Sequence, residues 1–577
     1  MRTIRHVLML ILTMLMVTPI AVVQADANKG NDVAVEAILK ELGSSALTKH
    51  EMRRELKWFA AKGERFKNKT ITVVSEDIPT HRWERDVLAE HFKALTGINI
   101  KYDIIGEGSV VESIFKQMSQ GVHLYDMYVN DADHIGTHAR VQGVVNLTQY
   151  MATEGKSYTN PMLDLSDFIN LEFGQDYEGN QLQLPDQQFA NLYWFRYDWY
   201  TRPDIKKMFR QYTENKYGKS KGYDLGVPVN WAAYEDIADF FTTTPIDGKQ
   251  VYGHMDFGKK SPSLGWRFTD AWLSIAGTGD KGLPNGTPVD EWGIRTVGRI
   301  PRGSSVERGG ATNGPAAVYA LQTYIDWLEK YSPPEAREGT FLDNNITVAN
   351  GNVAQQIFLY TLWLNDPAFH SGKMVDSNNS PVWRVAPTPH GKYWEKGMKV
   401  GYQDAGSWTI PKDTKGGKRA AAWLWAQFCV SKSAALAKFK AGGTPVRHST
   451  LNTKWVQKNK AKFGGLIEFF QSDAVNRWTD TGLNVPHYPL MFRAWWPNLD
   501  QAIDGKISAQ TAMDNIAYKQ DEIMGKLRGI KYAPQLNKKS SREHWLKKQG
   551  APKPERARET PKTLLYKDVI KQWQKTN

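Results

Sequence analysis

The sequence predicts an α/β fold with more than one compact lobe, and three observations carry this prediction. Between residues 70 and 147, short β-branched runs alternate with segments of helical periodicity, which is the order of parallel β–α–β units. The chain has 577 residues and 41% of them are apolar, so it can bury a large core and divide into several units. We find no internal repeats.

The expected elements of this α/β part follow one another in a regular order. Two amphipathic helices come first, at about 32–42 and 49–65, and Thr48 with Glu51 forms a capping box at the start of the second. Strands and helices are then expected in alternation, with strands at 70–74, 98–104 and 124–129 and helices at 83–95 and 110–119. From Trp231 onward the pattern is mainly helical.

The first 25 residues have the pattern of a secretory signal peptide. Arg2 and Arg5 precede an apolar run at 7–17, and small residues at Val23 and Ala25 form a cleavage site. A membrane-spanning helix is the alternative, but the apolar stretch is only about the minimum length for a span. We therefore expect cleavage near Ala25 and a soluble protein in a Gram-negative periplasm. Because no cysteine lies near the cut, no lipid anchor is expected.

Composition narrows the class of protein. Cys429 is the single cysteine, so no intramolecular disulfide can form. The 74 basic and 61 acidic residues leave a net charge of +13, but an exported protein has little nucleic acid to bind. We interpret the charge as a contribution to solubility or an attraction to an anionic surface. The 21 tryptophans exceed what a core usually holds, and indole faces stack well on sugar rings.

Motifs of common catalytic centres are absent from the sequence. It contains no His-Glu-x-x-His motif, no cysteine pair, no phosphate-binding P-loop and no Gly-x-Ser-x-Gly elbow. We therefore expect no enzyme activity, no cofactor and no metal. A secreted glycoside hydrolase stays open as an alternative, because its two carboxylates are recognised by their separation in space and not in sequence.

Six segments of the chain occur in a recognisable series. They are TITVVSEDIPTHRWERDVLAEHFKALTGINIKY, YDMYVNDADHIGTHARVQGVVNLTQYM, LPDQQFANLYWFRYDWY, PVNWAAYEDIADFF, GNVAQQIFLYTLW with WRVAPTPHG, and AGSWTIPKDTKGGKRAAAWLWAQFCVSKSAALAKF with GGTPVR. Over about 70–545 this series resembles the periplasmic solute-binding proteins of carbohydrate-type ABC importers, extracellular solute-binding family 1, which are related to maltose-binding protein. The unusual length is similar to that of the polyol-importer subgroup, glycerol importers among them.

The resemblance implies a two-lobed periplasmic-binding-protein fold of type II, with discontinuous lobes and a cleft at the hinge between them. It divides the chain into a helical extension at 26–69, one lobe at 70–186 plus 405–445, a second lobe at 187–404 plus 446–535, and a basic tail at 536–577. We expect the lobes to be joined at three crossings, near 183–192, 398–410 and 443–449. The Gly- and Pro-rich segment 277–314 is expected to be an excursion outside the core, and the tail to be loosely packed up to a short helix at 564–573.

The resemblance also implies a function. A monomer of this kind captures a small neutral polyhydroxy solute, such as a sugar or a polyol including glycerol, by closing its lobes and delivers it to permease subunits in the inner membrane. Binding of a charged solute, such as an opine, a peptide or a glycerophosphodiester, is the alternative. It would need a charged partner in the cleft, for which Arg493 and Arg384 are the candidates.

The strand ends supply the first candidate binding residues. Glu76 and Asp77 follow the first predicted strand, and Asn130 and Asp131 follow the third. Ligands of such sheets bind beyond the carboxyl ends of the strands, where these side chains could pair with ligand hydroxyls. Helix capping is the alternative role for each of them.

The resemblance adds eight candidates on the first crossing, on the returning strand and among the aromatic residues. They are Gln187, Gln188, Asp404, Ser407, Trp408, Trp363, Tyr488 and Trp495. Of the adjacent pair Trp495 and Trp496, only one can face a ligand. Four further tryptophans are expected in the cores: Trp231, Trp327, Trp423 and Trp425.

Overall fold

The structure is a computed structural model that describes residues 32–279, 289–290, 292–357, 367–399, 401, 403–477, 482–547 and 555–574. The expected signal segment 1–25 and the candidate Trp363 lie outside these residues. Within the described ranges, no helix combines the length and the apolar character needed to pass through a membrane.

Strands and helices alternate through the first part of the chain, as the sequence predicts. The strands are β1 Thr70–Glu76, β2 Asn99–Ile105, β3 Met127–Asn130, β4 Leu184–Pro185, β5 Phe189–Ala190, β6 Tyr193–Arg196, β7 Val227–Pro228, β8 Arg295–Val297, β9 Ile300–Gly303, β10 Gln355–Gln356, β11 Trp383–Ala386, β12 Gln403–Asp404, β13 Ser407–Thr409 and β14 Thr563–Leu564. The longer helices are 32–42, Lys49–Gly63, Ala89–Thr96, Glu107–Gln120, Pro203–Tyr217, Trp231–Thr243, Pro315–Tyr331, Phe341–Ala349, Gly416–Cys429, Trp496–Ile503, Ala509–Lys526 and Tyr566–Gln574. Shorter helices are Pro79–Trp83, Ile135–Val141, Leu147–Ala152, Tyr197–Thr201, Pro262–Arg267, Leu273–Ala276, Ala435–Lys440, His448–Leu451, Lys454–Asn459, Leu466–Phe470, Tyr488–Phe492 and Arg542–Leu546.

The structure confirms the two helices predicted before the first strand, at 32–42 and Lys49–Gly63. The second begins after Thr48, whose side chain accepts a hydrogen bond from the Glu51 backbone N–H at 3.3 Å, while the Glu51 carboxylate accepts one from the Thr48 N–H at 2.8 Å. This reciprocal pairing satisfies two backbone donors that a helix start leaves free. Phe59 of this helix packs against Phe428 with ring centroids 5.3 Å apart, so the extension belongs to the first core.

The main sheet has five strands in the order β2-β1-β3-β13-β4. β1 runs parallel to β2 and β3, whereas β13 runs antiparallel to β3 and β4 and returns to the sheet from far along the chain. The carboxyl ends of the three parallel strands therefore lie at one edge. Beside this edge, β5 pairs with β12, so two of the expected crossings between lobes are hydrogen-bonded to each other.

A second core surrounds a cluster of indole rings. Trp231, Trp272 and Trp327 lie with ring centroids 5.2 to 5.6 Å apart, and Tyr234 stacks on Trp327 at 4.6 Å. The expectation that Trp231 and Trp327 are core residues is confirmed. Trp423 and Trp425 are likewise buried, in the first core.

The described residues of the segment 277–314, which are 277–279, 289–290 and 292–314, pack into the core and do not form the expected excursion outside it. β8 and β9 pair as an antiparallel hairpin within it, and Val289, Trp292 and Ile294 are buried. The Trp292 ring lies 5.8 Å from that of Trp495 in the second core. Gly and Pro residues correctly indicate turns here, but the apolar residues between them are buried by the second lobe.

In the described parts of the C-terminal tail, 536–547 and 555–574, the chain is held by tertiary contacts and is not loose as expected. β14 pairs antiparallel with β7, and the final helix Tyr566–Gln574 buries Trp573 against Phe469 at a centroid distance of 5.7 Å. Arg556 forms an ion pair with Glu395 at 2.6 Å on the same lobe. Strand pairing and a buried indole therefore hold a segment whose basic composition indicates a solvated tail.

Candidate functional site

A small cavity lies at the carboxyl ends of β1 and β3, where the second lobe approaches the sheet. Its volume is about 20 Å³, which is room for about one water molecule. Its polar lining consists of Glu76, Glu107, Asn130, Asp131, Asp133, His134 and Tyr488. We call this space the acidic cavity.

A turn after β3 places several of these side chains. Asp404 accepts hydrogen bonds from the backbone N–H groups of Ala132, at 2.8 Å, and Ala405, at 2.7 Å. The Asn130 amide donates to the Asp131 backbone carbonyl at 2.8 Å. Asp404 thus acts as a brace between the returning chain and the short 3₁₀ turn at Ala132–His134.

Burial and mutual repulsion raise the pKa values of the carboxyl groups in and near this cavity. The pKa of Glu76 rises to about 7, first because of burial and then because of the charge of Asp404. Burial also raises the pKa values of Glu107, Asp131 and Asp270, with neighbouring carboxylates adding to the effect. The site therefore accumulates either negative charge or protons when the lobes are together.

An aromatic cluster adjoins the acidic cavity through Tyr488, which lines it. The Tyr488 ring lies 4.8 Å from that of His134, stacks on Phe492 at 5.0 Å and lies 5.7 Å from Trp292. Burial and the neighbouring His138 lower the pKa of His134, so its ring is neutral at pH 7. Carboxylates and the Tyr488 ring thus line the same space, which suits a ligand with both polar groups and C–H surface.

A larger groove of about 610 Å³ opens beside the acidic cavity. The two spaces share Glu107 and Val111 in their linings. On the first lobe the groove is lined by residues between 106 and 112, and on the second lobe by Ser261, Ser263, Thr340, Phe341 and Trp496 among others. We call this space the outer groove. It has room for a sugar-sized molecule, whereas the acidic cavity alone does not.

Side chains and backbone from both lobes meet around these spaces. Trp266 donates its indole N–H to the Glu107 carboxylate at 2.5 Å, and the Tyr488 backbone N–H donates to the Thr137 hydroxyl at 2.8 Å. At the mouth of the groove, Arg493 donates to Glu112 at 2.8 Å. The structure therefore holds the cleft in a closed arrangement.

Five of the sequence-derived candidates lie at or next to the acidic cavity. Glu76, Asn130, Asp131 and Tyr488 line it, and Asp404 braces the turn behind it. Their role in ligand binding stays a prediction. Glu107 was not among the candidates, although it follows β2 as Glu76 ends β1, so the rule of strand ends applied to β2 would have found it. No sequence signal indicates His134 or Trp292.

Four polar candidates lie away from the cavity, which corrects their assignment. Asp77 is exposed and paired with Arg82 at 2.6 Å. Three others have buried structural partners. Gln187 accepts from the Thr80 hydroxyl at 3.0 Å, Gln188 donates to the Ile169 carbonyl at 2.8 Å, and the Ser407 hydroxyl donates to the Ala405 carbonyl at 3.1 Å.

Two tryptophan candidates are core residues and not stacking faces. Trp408 is 1% exposed, packs against Trp425 at 6.3 Å and donates its indole N–H to Asp186 at 2.6 Å. Trp495 is fully buried beside Trp292 and Phe268, while Trp496 lines the outer groove. Of the adjacent pair, Trp496 and not the candidate Trp495 therefore reaches the groove. Of the two charged-solute candidates, Arg493 reaches the groove, whereas Arg384 covers the ring of Tyr197 elsewhere.

Trp408→Phe should lower stability and leave solute affinity unchanged, because the ring is in the core and its N–H satisfies Asp186. Loss of this donor to a buried carboxylate is expected to cost about 1–3 kcal/mol. Thermal unfolding and solute titration of the same preparation measure the two effects. Reduced affinity with unchanged stability would contradict this prediction and indicate that Trp408 contacts the solute in the cleft.

A buried ionic cluster next to Trp408 has the composition of a metal site. His81, Glu84 and Asp186 are the group of three possible ligands found in the described part of the chain. However, the ammonium group of Lys438 contacts both Glu84, at 2.5 Å, and Asp186. Because a fixed positive charge already occupies the position of an ion, we interpret the cluster as a structural salt bridge.

Comparison with known proteins extends these observations. No protein-family model matches the chain, and no curated protein sequence matches it. Among solved structures, an ABC transporter solute-binding protein of Agrobacterium radiobacter K84 in complex with ribitol matches with a TM-score of 0.59 and 18% identity, covering 79% of this chain and 99% of that one. A solute-binding protein of Agrobacterium vitis S4 with bound D-mannitol gives 0.57 and 17%, with the same coverage.

The maltose-bound MalE3 protein of T. maritima gives a TM-score of 0.56 at 16% identity, again over 79% of this chain and 99% of that one. These likenesses confirm the predicted fold class. The chain therefore has the two-lobed α/β fold of these structures.

Proposed function

We propose that the protein is the solute-binding component of an ABC importer, which captures a small polyhydroxy solute between its lobes and delivers it to a membrane permease. The observation that carries this proposal is the cleft of a two-lobed fold, in which carboxylates and the aromatic ring of Tyr488 line one cavity. The similar structures are solute-binding proteins that hold ribitol, D-mannitol and maltose, which supports the same class of ligand here.

The expected roles of the side chains follow from hydroxyl chemistry. Each ligand hydroxyl taken out of water needs a partner, and a carboxylate oxygen is an acceptor for two such donors. We assign this role to Glu76, Glu107 and Asp131, with Tyr488 as the surface for a C–H face. The limited volume of the acidic cavity favours a small solute or one small end of a solute, so polyols including glycerol are the first candidates.

The organisation of the chain is proposed on the same grounds. We place one lobe at 70–186 plus 405–445 and the other at 187–404 plus 446–535. In support, one buried cluster joins Ile71 to Trp408 and Trp425, and a second joins Trp194 to Trp495. We further propose a monomer that is exported to the periplasm after cleavage near Ala25.

A carrier is preferred to a glycoside hydrolase. A hydrolase needs one carboxyl group that protonates the leaving oxygen and a second that attacks or activates water across the bond. Here the Glu107 carboxylate accepts a hydrogen bond from Trp266 of the opposite lobe, and Asp404 accepts hydrogen bonds from two backbone N–H groups. Both carboxylates therefore already have partners within the folded protein. Slow conversion of a bound sugar by the purified protein would favour the hydrolase.

A thermal-shift screen tests the proposal, with ribitol, D-mannitol, glycerol, maltose and glycerophosphocholine as probes. A solute at a hundred times its Kd should stabilise the protein by about 2.7 kcal/mol. Glu76→Gln should abolish the shift, because Glu76 lines the acidic cavity, whereas its neighbour Asp77→Asn should retain it, because Asp77 is exposed. The absence of a shift with every probe, or equal loss in both variants, would contradict the proposal.

A further inference from the structure

The acidic cavity is more negative than binding of a neutral solute requires. Glu76, Glu107 and Asp131 are half-buried around it, and the charged groups that raise their pKa values are other carboxylates. In the portion of the chain that the structure describes, none of the three forms an ion pair with a lysine or an arginine. A cationic group in the cavity would relieve this repulsion.

A second observation concerns His134. Its side chain is 2% exposed and lines the cavity, and its Nδ1 has no hydrogen-bond partner. A buried polar nitrogen of this kind is normally paired. Because burial keeps the imidazole neutral, one of its nitrogens can accept a hydrogen bond from a donor placed in the cavity.

The arrangement of the acceptors does not suit a metal ion. Among the described residues, the group of three possible ligands within 4.8 Å of one another is His81, Glu84 and Asp186, and it lies outside the acidic cavity. The Lys438 ammonium group already occupies the centre of that group. The cavity carboxylates are therefore spread around the space and do not converge on one point. An ammonium group has three N–H donors that point in different directions, which matches acceptors spread in this way.

Resting on the proposed function, we propose that the solute carries a primary amine and that its ammonium group occupies the acidic cavity, bound by Glu76, Glu107, Asp131 and His134. The cavity volume of about 20 Å³ is that of a water-sized group, which is the size of an ammonium head. The remaining hydroxylated body lies in the adjoining outer groove of about 610 Å³.

The outer groove has the chemistry that such a body needs. The hydroxyl groups of Ser261 and Ser263, which hydrogen-bond each other at 2.7 Å, have further acceptor capacity for ligand hydroxyls. Trp496 and Phe341 offer ring faces to the C–H groups of the ligand. The substrate class is thus amino sugars and amino polyols. The shared lining residue Glu107 lies between the head and the body.

Calorimetric titration of matched pairs tests this assignment. The probes are D-glucosamine against D-glucose, and 1-amino-1-deoxy-D-mannitol against D-mannitol, with N-acetyl-D-glucosamine as an uncharged control. At pH 7 each amine should bind at least about tenfold more tightly than its hydroxyl counterpart. Asp131→Asn should reduce that preference, and Asp77→Asn should keep it, because Asp77 lies outside the cavity and pairs with Arg82.

The pH dependence of the affinity for an amine is an independent test. Glu76 has a pKa of about 7, so an ammonium group that binds there must displace protons, and its affinity should rise between roughly pH 5.5 and 7.5. Asp133 and Tyr488 line the same space, and Asp404 and Asp270 lie close enough to interact with its carboxyl groups. Affinity that falls over this range would mean that protons, and not an amine, neutralise the site.

Equal affinity for the amine and hydroxyl members of both pairs would overturn the inference and leave the proposed function intact. Binding of neutral polyols without any binding of the amines would also overturn the inference and leave the proposed function intact. If no member of either pair binds and the thermal-shift screen also finds no solute, the proposed function itself fails.

Discussion

Gly136→Ala is expected to prevent solute capture while both cores stay folded. Gly136 lies in the first-lobe helix Ile135–Val141, where an added Cβ would sit 2.1 Å from the Gly482 carbonyl oxygen and 2.5 Å from that of Val485. Both oxygens belong to the backbone of the opposing segment, so the contact can be relieved only by moving the two segments apart. A carrier that works by closure then loses the state that holds its solute.

The expected loss of affinity is at least about hundredfold, measured by titration with a solute that the thermal-shift screen identifies. Small-angle scattering with saturating solute should show an open particle for Gly136→Ala and a closed one for the wild type. Gly525→Ala is the matched control, because Gly525 is also helical and its added Cβ meets only Leu536, at 3.4 Å. Normal affinity in Gly136→Ala would show that the close contact is not needed for binding.

Lys438→Met should produce the largest loss of stability. Its ammonium group neutralises Glu84 and Asp186, and all three side chains are buried in the first lobe. Removing one partner of such a cluster leaves uncompensated charge in a medium of low polarity, which typically costs about 3–5 kcal/mol. Thermal unfolding without solute measures this effect.

Two comparisons separate the charge effect from a general effect of the substitution. Lys440→Met changes an exposed lysine on the same helix and should shift stability by no more than about 0.5 kcal/mol. Adding Asp186→Asn to Lys438→Met should recover part of the loss, because it removes one of the unpaired charges. An equal loss of stability in Lys438→Met and Lys440→Met would contradict the explanation by unpaired buried charge.

The pH dependence of the Lys438→Met deficit has a definite sign. The folded-state pKa of Glu84 is already raised to about 8, mainly by burial, and loss of the lysine raises it further above its usual value. A carboxyl group with a raised folded-state pKa binds more protons when folded, so its ionisation destabilises the folded protein less as pH falls. Because Glu84 is protonated in both folded proteins below about pH 7, the deficit should shrink as pH falls through about 8 and stay constant below about pH 7.

The order of strands and helices could be predicted because local patterns determine it. β-branched runs gave the three parallel strands, and the capping pair Thr48 and Glu51 gave the start of the second helix. Glu76, Asn130 and Asp131 could be placed near a common site for a topological reason, since the carboxyl ends of parallel strands share an edge.

The direction of the tryptophans could not be predicted in the same way. A strand presents alternate side chains to its two faces, and which face is core depends on what covers it. Trp408 faces the first core because the helix Gly416–Cys429 packs there and places Trp425 against it. Likewise, Trp496 and not Trp495 reaches the outer groove because Phe268 and Trp292 enclose the latter.

The sequence by itself thus determined the α/β class, the strand order in the chain and the strand-end carboxylates of this protein, all of which depend on residues close together in the chain. Only the tertiary structure decided that Glu107, His134 and Tyr488 meet these carboxylates, and that the described residues of the segment 277–314 and of the C-terminal tail are packed. The physical reason is that these outcomes depend on contacts between distant segments, whose burial energies outweigh the local preferences that sequence patterns report.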